Sequence, residues 1–470
     1  MIELFDDVTA KEIDSKNTIK YGIEPLMLQE SAARLIFHRL NNGEDKRKKI
    51  TVLVGKGNNG ADGIALARMM FIANFKVSIF YFSKEEGTAE YEKQKQIAQA
   101  LAIPVTKKLD ADLFIDALIG IGLNGVLRSE MKNFIDRVNA LDKPVYSIDC
   151  PSGLGFDAPY GAAIKATTTF VLGVGKLSLY LMDNRKWCGK IRILKPLFAG
   201  PMPSADVTLI GNEEYDLPQI EFWEYKKTRG DLIIVGGCKE YPSTILLSAK
   251  TAFAAGIGLV TCYTDFEVVQ LLARTEPSVM LRCFSDFKEN EKAVLLIGPG
   301  LGSRNAEEIL PFLKLRNKKV IDADGIRTYA RYYKEGKIGK LENAILTPHL
   351  GELKVLIEAV FPGRVYKTPK EYLQLLIDLS YTINAELIVK SEVCVIVKEG
   401  FVQIVDLVNP SLAVAGSGDV LAALIATLWV KCEFPGAAGA LLHKRAGRIS
   451  KKAFGYYSCE TLIKVIGKIR

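Results

Sequence analysis

The chain has 470 residues, of which 49% are hydrophobic and 25% charged, and its formal net charge is +8. This length exceeds what one ordinary hydrophobic core supports, so we expect two or three domains. The longest uncharged apolar run, Val420 to Val430, is too short to span a membrane, and the acidic N-terminus lacks a secretory signal pattern. Eight cysteines without a C-x-x-C pair indicate reduced thiols in a cytoplasmic protein, and three histidines without metal-ligand spacing argue against zinc.

Short β-rich apolar runs alternate with helix-period segments in the first half of the chain. The runs are "ITVLVG" (50–55), "KVSIFYF" (76–82), "DLFIDALIG" (112–120), "PVYSIDC" (144–150) and "TTTFVLGVG" (167–175). This alternation predicts βαβ units and a parallel sheet, in a Rossmann-like αβα sandwich.

The pattern restarts at "DLIIVGG" (231–237), after a stretch with prolines, charges and no sustained period between about residues 205 and 228. We therefore predict one domain over residues 1–215 and a second over 216–470. Further strands are predicted at "LVTCYT", "AVLLIGPGLG", "KKVIDADGI", "NAILTPHLGE", "ELIVK", "VCVIV" and "FVQIVD", with three helices from Gly416 onward. The second domain is again an α/β fold.

The first strand leads into a glycine turn with the spacing Gly55-x-Gly57-x-x-Gly60 and then a helix. Such a turn brings backbone N–H groups close to a phosphate, as in dinucleotide-binding folds. A dinucleotide fingerprint also has an acidic residue at the second strand end, where this chain offers only Glu85 and Glu86 past the strand. The turn alone is therefore also compatible with a strand-to-helix connection that binds no ligand.

Oxygen-bearing side chains follow three strands of the first domain, where a parallel sheet places its ligands. They are Asn58 and Asn59, then Asp116, then Asp149 and Ser152. This set suits a hard cation, a polar ligand, or both. Helix capping and turn closure are the alternative roles of such residues.

The motifs "VGKGNNGADG", "DALIGIGLNG" and "SIDCPSGL" together resemble the epimerase domain of the NAD(P)H-hydrate repair enzymes, over roughly residues 1–205. The resemblance implies a site for hydrated NAD(P)H, with Asp149 as the catalytic carboxylate facing the hydrated ring. The binding residues that it implies are Asn58, Asn59, Gly60, Ala61, Asp62, Gly120, Ile121, Gly122, Leu123, Asn124, Gly125, Val126 and Asp149. It also implies a potassium ion bound by Asn59, Asp116 and Ser152. Ala61 stands where the family usually has glycine.

In the second domain, Gly416-x-Gly418-Asp419 begins a long apolar helix. Backbone N–H groups at the start of a helix can bind an anion, and a carboxylate beside them can accept a proton from an attacking hydroxyl. A capped helix with an acidic first turn is the alternative. No Walker A sequence is present, so a phosphate site here would be of another type.

"GPGLG" (298–302), "DADGI" (322–326), "TPHLGE" (347–352) and "NP…GSGD" resemble the dehydratase domain of the same enzymes, a ribokinase-like fold, over about residues 225–470. The resemblance implies phosphorylation of the ring hydroxyl by ADP or ATP, with Mg²⁺, and Asp419 as the base. It places Thr244, Gly302, His349 and Asp419 at the hydrated ring, and Lys390, Ser391, Glu392, Val393, Cys394, Gly416 and Gly418 at the nucleotide. The segment "KSEVC" departs from the family's small, glycine-rich run, and Leu350 replaces the usual proline.

We therefore interpret the sequence as a bifunctional repair enzyme: an epimerase of the R and S hydrates fused to a dehydratase of the S form. The alternative is a ribokinase-like kinase of a vitamin precursor fused to a dinucleotide-sensing or protein-binding domain. We expect small-molecule substrates, a homo-oligomer, and no nucleic-acid or membrane partner. The net charge is modest, and the densest basic run, at 45–49, is typical of a solvated loop before a strand.

Overall fold

A computed structural model of the chain describes residues 1–123, 125–158, 161–195, 205–211, 218–273, 278–302, 306–406 and 408–469. The chain divides into two compact units: residues Ile2–Val207 with Tyr366–Leu373, and Met1 with Thr208–Val365 and Gln374–Arg470. The boundary that we predicted at residue 215 falls within 212–217, outside the described residues. No helix in the described part of the chain is long and apolar enough to cross a membrane.

The N-terminal unit is built on a parallel sheet with the strand order β3-β2-β4-β5-β6-β8. Its strands are β1 (Ile2–Phe5), β2 (Lys49–Val54), β3 (Lys76–Tyr81), β4 (Leu113–Ala117), β5 (Val145–Ile148), β6 (Thr168–Leu172), β7 (Gly175–Lys176) and β8 (Lys190–Leu194). Its helices are α1 (Asp7–Tyr21), α2 (Pro25–Asn41), α3 (Asn58–Ile72), α4 (Ala89–Ala100) and α5 (Ser129–Ala140). The short strands β1 and β7 pair with each other in parallel.

Alternate residues of the central strands enter two different cores, which is why helices cover both faces of this sheet. Val52 of β2 and Ile115 of β4 pack in the core that contains α2 and α3. The residues adjacent to them in the same strands, Leu53 and Phe114, pack in the core that contains Phe134 of α5. The predicted αβα sandwich is confirmed.

The C-terminal unit has the strand order β12-β11-β10-β13-β14-β15-β16-β17-β18. Its strands are β9 (Val207–Ile210), β10 (Asp231–Val235), β11 (Leu259–Thr264), β12 (Met280–Cys283), β13 (Val294–Ile297), β14 (Lys319–Ile321), β15 (Ala344–Leu346), β16 (Glu386–Lys390), β17 (Cys394–Lys398) and β18 (Phe401–Val405). Strands β10 to β16 pair in parallel, whereas β17 pairs antiparallel with both β16 and β18.

The helices of this unit are α6 (Thr244–Ala254), α7 (Phe266–Leu272), α8 (Leu310–Lys314), α9 (Asp324–Lys334), α10 (Leu350–Val360), α11 (Pro369–Ile383, from residue 374 onward), α12 (Ser417–Leu428), α13 (Pro435–Phe454) and α14 (Cys459–Ile466). Small residues of α6 and α12, such as Ala249 and Ala423, share one core with Leu232 and Ile234 of β10. Each apolar run predicted as a strand contains one, and the three predicted helices after Gly416 are α12 to α14. Strands β1, β8, β9 and β12 are elements that we did not predict.

Candidate functional sites

A cavity of about 1470 Å³ lies at the carboxyl ends of β2, β4 and β5 in the N-terminal unit. Helices α1 and α2 and the segment after β3 complete its wall. The predicted binding residues that line it are Asn58, Asn59, Asp62, Gly120, Ile121, Gly122, Leu123, Val126 and Asp149. Gly60, Ala61 and Gly125 are not among its lining residues, and Asn124 lies outside the described residues. The cavity thus joins residues from three separate sequence motifs.

In the glycine turn between β2 and α3, separate stretches of backbone lie very close together. A Cβ atom at Gly60 would stand 1.9 Å from the carbonyl oxygen of Gly55, and one at Gly55 would stand 1.9 Å from that of Leu118. Only glycine fits at these positions. Ala61 is fully buried in the helical core, so its methyl group packs away from the cavity.

Asp149 is held at the cavity wall in a left-handed backbone conformation, with φ of +66°. Its two carboxylate oxygens each accept a 3.4 Å hydrogen bond, from the backbone N–H groups of Ile121 and Leu172. Oδ1 also lies 3.7 Å from Nζ of Lys176, a lysine that is only 2% exposed. We missed Lys176 in the sequence, where it stands alone in the apolar run "VLGVGKLSLYL". A single charge inside such a run was the available signal.

Two further carboxylates line the same cavity as Asp149. Burial, and the nearby charge of Asp149, raise the pKa of Asp62 well above its usual value. Burial likewise raises the pKa of Asp14 to about 6, although Lys176 acts in the opposite direction. Asp14 belongs to α1 and was not predicted. Carboxyl groups of this kind keep a proton to a higher pH than an exposed aspartate does.

Asp116 and Ser152 lie behind the cavity wall, and both are fully buried. The Asp116 carboxylate accepts hydrogen bonds from Ser152 Oγ at 2.5 Å, Ser152 N at 2.9 Å and Ser147 Oγ at 2.8 Å. Burial raises the pKa of Asp116 more than these bonds lower it. With its amide oriented to satisfy both groups, Asn59 donates to the carbonyl of Ile148 at 3.2 Å and accepts from Gly120 N at 3.3 Å. The structure thus joins Asp116 directly to Ser152, while Asn59 stands at the wall itself.

In the C-terminal unit, Asp419 lies in the first turn of α12, which follows Gly416 with φ of +86°. Burial raises the pKa of Asp419 to about 7; Asp322 and Glu352 add to the shift, and Lys390 opposes it. Ser417 in the same turn is 3.1 Å from Nε2 of the buried His443.

A charged cluster surrounds Lys390 at the end of β16. Its Nζ lies 2.7 Å from Oδ1 of Asp322, which also accepts a 2.7 Å hydrogen bond from Thr347. Burial alone would lower the pKa of Lys390, but Asp322, Glu352 and Asp419 raise it, so the ammonium form prevails. A Cβ at Gly418 would stand 3.4 Å from Nζ of Lys390, so the turn of α12 approaches this cluster. The sequence pointed to Lys390 and Asp419 but not to Asp322 and Glu352 as their partners.

His349 caps the N-terminus of α10. Its Nδ1 accepts hydrogen bonds from the backbone N–H groups of Gly351 and Glu352, at 2.9 and 3.3 Å. Its Nε2 lies 3.1 Å from Oε1 of Glu352, so both ring nitrogens are engaged while the side chain stays 51% exposed. The imidazole can therefore offer its face, rather than a free nitrogen, to a ligand.

Thr244 and Gly302 occupy two neighbouring glycine-rich turns. Thr244 begins α6 and donates a hydrogen bond to the carbonyl of Tyr241 at 2.9 Å. Gly302 has φ of +69°, and its N–H donates to Asp324 Oδ2 at 3.0 Å. A Cβ at Gly300 would stand 2.0 Å from Oγ1 of Thr244, so this glycine lets the two turns meet.

The segment Lys390 to Cys394 is the turn of the β16–β17 hairpin. Val393 and Cys394 are buried, so their side chains face the core rather than a ligand. Glu392 is exposed, and its carbonyl oxygen accepts a 2.8 Å hydrogen bond from Nζ of Lys444. Its carboxylate therefore points to solvent, the orientation in which it interferes least with a bound phosphate.

Comparison with known protein families covers both units. Residues 25–178 match the family of the YjeF-related protein N-terminus, and residues 232–468, half of the chain, match the NAD(P)H-hydrate dehydratase family. The chain belongs to the bifunctional NAD(P)H-hydrate repair enzymes. The relative from Moorella thermoacetica is 28% identical, with 94% of this chain and 91% of that protein aligned.

A second bifunctional relative, from Coxiella burnetii, is 27% identical over 91% of this chain and 90% of its own length. A ribokinase-like superfamily protein from Enterococcus faecalis has a solved structure that is 23% identical, with a TM-score of 0.48, and covers 57% of this chain and 97% of its own.

Proposed function

We propose that this chain repairs hydrated NAD(P)H in two steps: the N-terminal unit interconverts the R and S hydrates, and the C-terminal unit dehydrates the S form at the expense of ADP or ATP. The observation that carries the proposal is that both family matches occur in one chain, each over a unit with a carboxylate at the carboxyl ends of its strands. Fusion is chemically sensible, because spontaneous hydration gives both epimers and the dehydratase uses one.

In the epimerase, the ring nitrogen's lone pair expels the hydroxyl on the adjacent carbon and leaves an iminium-like ring. Water then adds from either face. Asp149, at the cavity wall, accepts a proton from the incoming water, and Asp14 or Asp62, with their raised pKa values, can protonate the departing hydroxyl. The predicted lining residues around Gly120 and Asn58 would hold the dinucleotide.

The donor set of Asn59, Asp116 and Ser152 fits a potassium ion, because it combines an amide, a carboxylate and a hydroxyl oxygen. Asp116 in particular is a fully buried carboxylate whose close partners are hydrogen-bond donors rather than a cationic side chain among the described residues. These three residues would hold the ion, which would supply a fixed positive charge beside the dinucleotide.

In the dehydratase, Asp419 removes the proton of the ring hydroxyl as its oxygen attacks the terminal phosphoryl group of the nucleotide. Backbone N–H groups at Gly416 to Gly418 would face the phosphates at the start of α12. Phosphate then departs with the C–O bonding electrons, the ring nitrogen forms a C=N bond, and loss of a proton from the neighbouring carbon restores the dihydronicotinamide.

Mg²⁺ would accompany the nucleotide phosphates. The three carboxylates around Lys390 leave a negative excess that a cation would balance. No cluster of three histidine, cysteine, aspartate or glutamate side chains in the described ranges has metal-binding geometry, so phosphate oxygens would complete the coordination.

The test is recovery of dihydronicotinamide absorbance from a mixed R and S hydrate preparation with ADP or ATP. We expect full recovery with the parent protein, and with Asp149→Asn recovery of the S portion at the enzymatic rate and the R portion more slowly. A stable phosphate ester without recovered absorbance would instead identify a small-molecule kinase. Preference for ADP or ATP, and for NADH or NADPH hydrate, follows from the same assay.

The proposal also includes the domain boundary, the oligomeric state and the cellular location of the chain. The domain boundary is placed near residue 215, and the chain is proposed to form a homo-oligomer without nucleic-acid partners. A cytoplasmic location is supported by the eight cysteines, none of which forms a disulfide. Light scattering of the purified chain would measure the oligomeric state.

A further inference from the structure

Lys176 is a buried charge that the roles described above leave unused. It lies in β7, opposite Phe5 of β1, and only 2% of its surface is exposed. A buried ammonium is costly unless a counter-charge accompanies it. Among the described residues, the carboxylate within ion-pair distance of its Nζ is that of Asp149, at 3.7 Å. Lys176 is not among the residues that line the cavity, so it does not reach the ligand.

The other carboxylates of this region are held differently. Asp7 is buried and accepts hydrogen bonds from Phe156 N at 2.8 Å and Ser178 Oγ at 2.9 Å. Asp14 and Asp62 face the cavity, and their charges repel that of Asp149. The two backbone hydrogen bonds to Asp149 are long, at 3.4 Å each. The ion pair with Lys176 is therefore the interaction that opposes this repulsion.

We infer that Lys176 is a positioning residue for epimerisation, whose buried ammonium holds the Asp149 carboxylate at the cavity wall as the proton acceptor. The inference rests on the proposed epimerase function. In each turnover the proton passes from the attacking water to Asp149 as the new C–O bond forms, and returns to the solvent afterwards. Lys176 itself forms no bond to the substrate.

The experiment is a double-mutant cycle in the full-length chain, with Lys176→Met, Asp149→Asn and both together. We expect Lys176→Met to lower the epimerase kcat by about 10- to 100-fold, less than the loss of the base itself. KM for the hydrate should stay within about threefold, because Lys176 does not touch the ligand. In the Asp149→Asn background, Lys176→Met should have no further effect on kcat, because it acts through Asp149.

The same chain supplies two controls. The dehydratase rate of each variant reports that the C-terminal unit is intact and active. Lys186→Met removes an exposed lysine that pairs with Asp183 at 3.1 Å, and it should leave the epimerase rate unchanged. Lys176→Arg, which keeps the charge, should recover part of the kcat that Lys176→Met loses. If Lys176→Met fails to fold in a thermal melt, Lys176→Gln takes its place in the cycle.

Two results would overturn the inference while leaving the proposed function standing. One is a folded Lys176→Met or Lys176→Gln variant whose epimerase kcat equals that of the parent. The other is an equal loss in the parent and Asp149→Asn backgrounds, which would assign Lys176 a purely structural role. A parent protein that does not epimerise the hydrate would refute the proposed function and this inference together.

Discussion

Asp419 offers the sharpest test of the dehydratase, because its environment predicts both a rate and a pH dependence. Burial, together with Asp322 and Glu352, raises its pKa to about 7 against the attraction of Lys390. A base with this pKa is about 10% ionised at pH 6 and about 90% ionised at pH 8. We therefore expect the dehydratase kcat to rise about tenfold between these pH values, if proton removal limits the rate.

Asp419→Asn keeps the shape of the side chain and removes the proton acceptor. The nucleotide-dependent rate should fall by about 10²- to 10⁴-fold, the usual loss for general-base catalysis. The residual rate should not vary with pH between 6 and 8, which separates the titration of Asp419 from that of the nucleotide. Epimerisation in the other unit should be unchanged, and calorimetric titration should still detect nucleotide binding.

The same substitution should stabilise the fold, with a definite sign. Because the folded pKa of Asp419 exceeds its unfolded value of 3.8, protonation favours the folded state. That stability is present below about pH 4 and is lost as the pH rises through about 7. The asparagine of Asp419→Asn stays neutral at every pH. The free energy of unfolding of this variant should therefore exceed that of the parent by up to about 4 kcal/mol at pH 8 and by little at pH 4. A folded variant that dehydrates at the parent rate would refute the base assignment and leave Asp419 as a helix-terminus residue.

Three further predictions follow from close contacts. Gly300→Ala places a Cβ 2.0 Å from a threonine hydroxyl oxygen and should cost about 2 kcal/mol or more in chemical denaturation, whereas Gly336→Ala, also at positive φ but with open space around it, should cost about 1 kcal/mol. Asp116→Asn should weaken potassium activation of the epimerase about tenfold or more, measured against KCl at constant ionic strength; an unchanged half-activation concentration would contradict the assignment. Lys390→Met leaves Asp322 buried without its ion pair and should cost about 3–5 kcal/mol, most of which Asp322→Asn should restore.

The fold was predictable from local patterns. Buried parallel strands have continuous apolar runs, and each run here ends in glycine or polar residues that begin a turn. Glycines such as Gly60 and Gly300 could be located but not explained, because the need for glycine depends on atoms that the fold would bring within about 2 Å of a Cβ: a backbone oxygen at Gly60 and a threonine hydroxyl at Gly300. Strands β8 and β12 contain alternating charged and apolar residues ("KIRIL" and "MLRC") instead of a continuous apolar run, so the pattern used for the buried strands does not identify them.

Some residues of the candidate sites could be predicted from the sequence, and others could not. Asp149 and Asp419 were predicted because each belongs to a recognisable motif at a strand end or helix start. Lys176 and Asp322 were not, because their partners lie 27 and 68 residues away in the sequence and no local pattern marks the pair. A charged residue in an apolar run identifies a buried group, but its partner is known only from the fold.

The two proposed bases, Asp149 and Asp419, each lie near a buried lysine. A carboxylate must be partly buried to act on a substrate away from water, yet burial and neighbouring carboxylates favour its protonated form. For Asp419 the neighbouring carboxylates are Asp322 and Glu352. In each unit a buried lysine supplies the opposing charge, by an ion pair with Asp149 in one and through Asp322 in the other. Because Lys390 pairs with Asp322 rather than with Asp419, the pKa of Asp419 stays near 7, and the dehydratase should lose activity in mild acid.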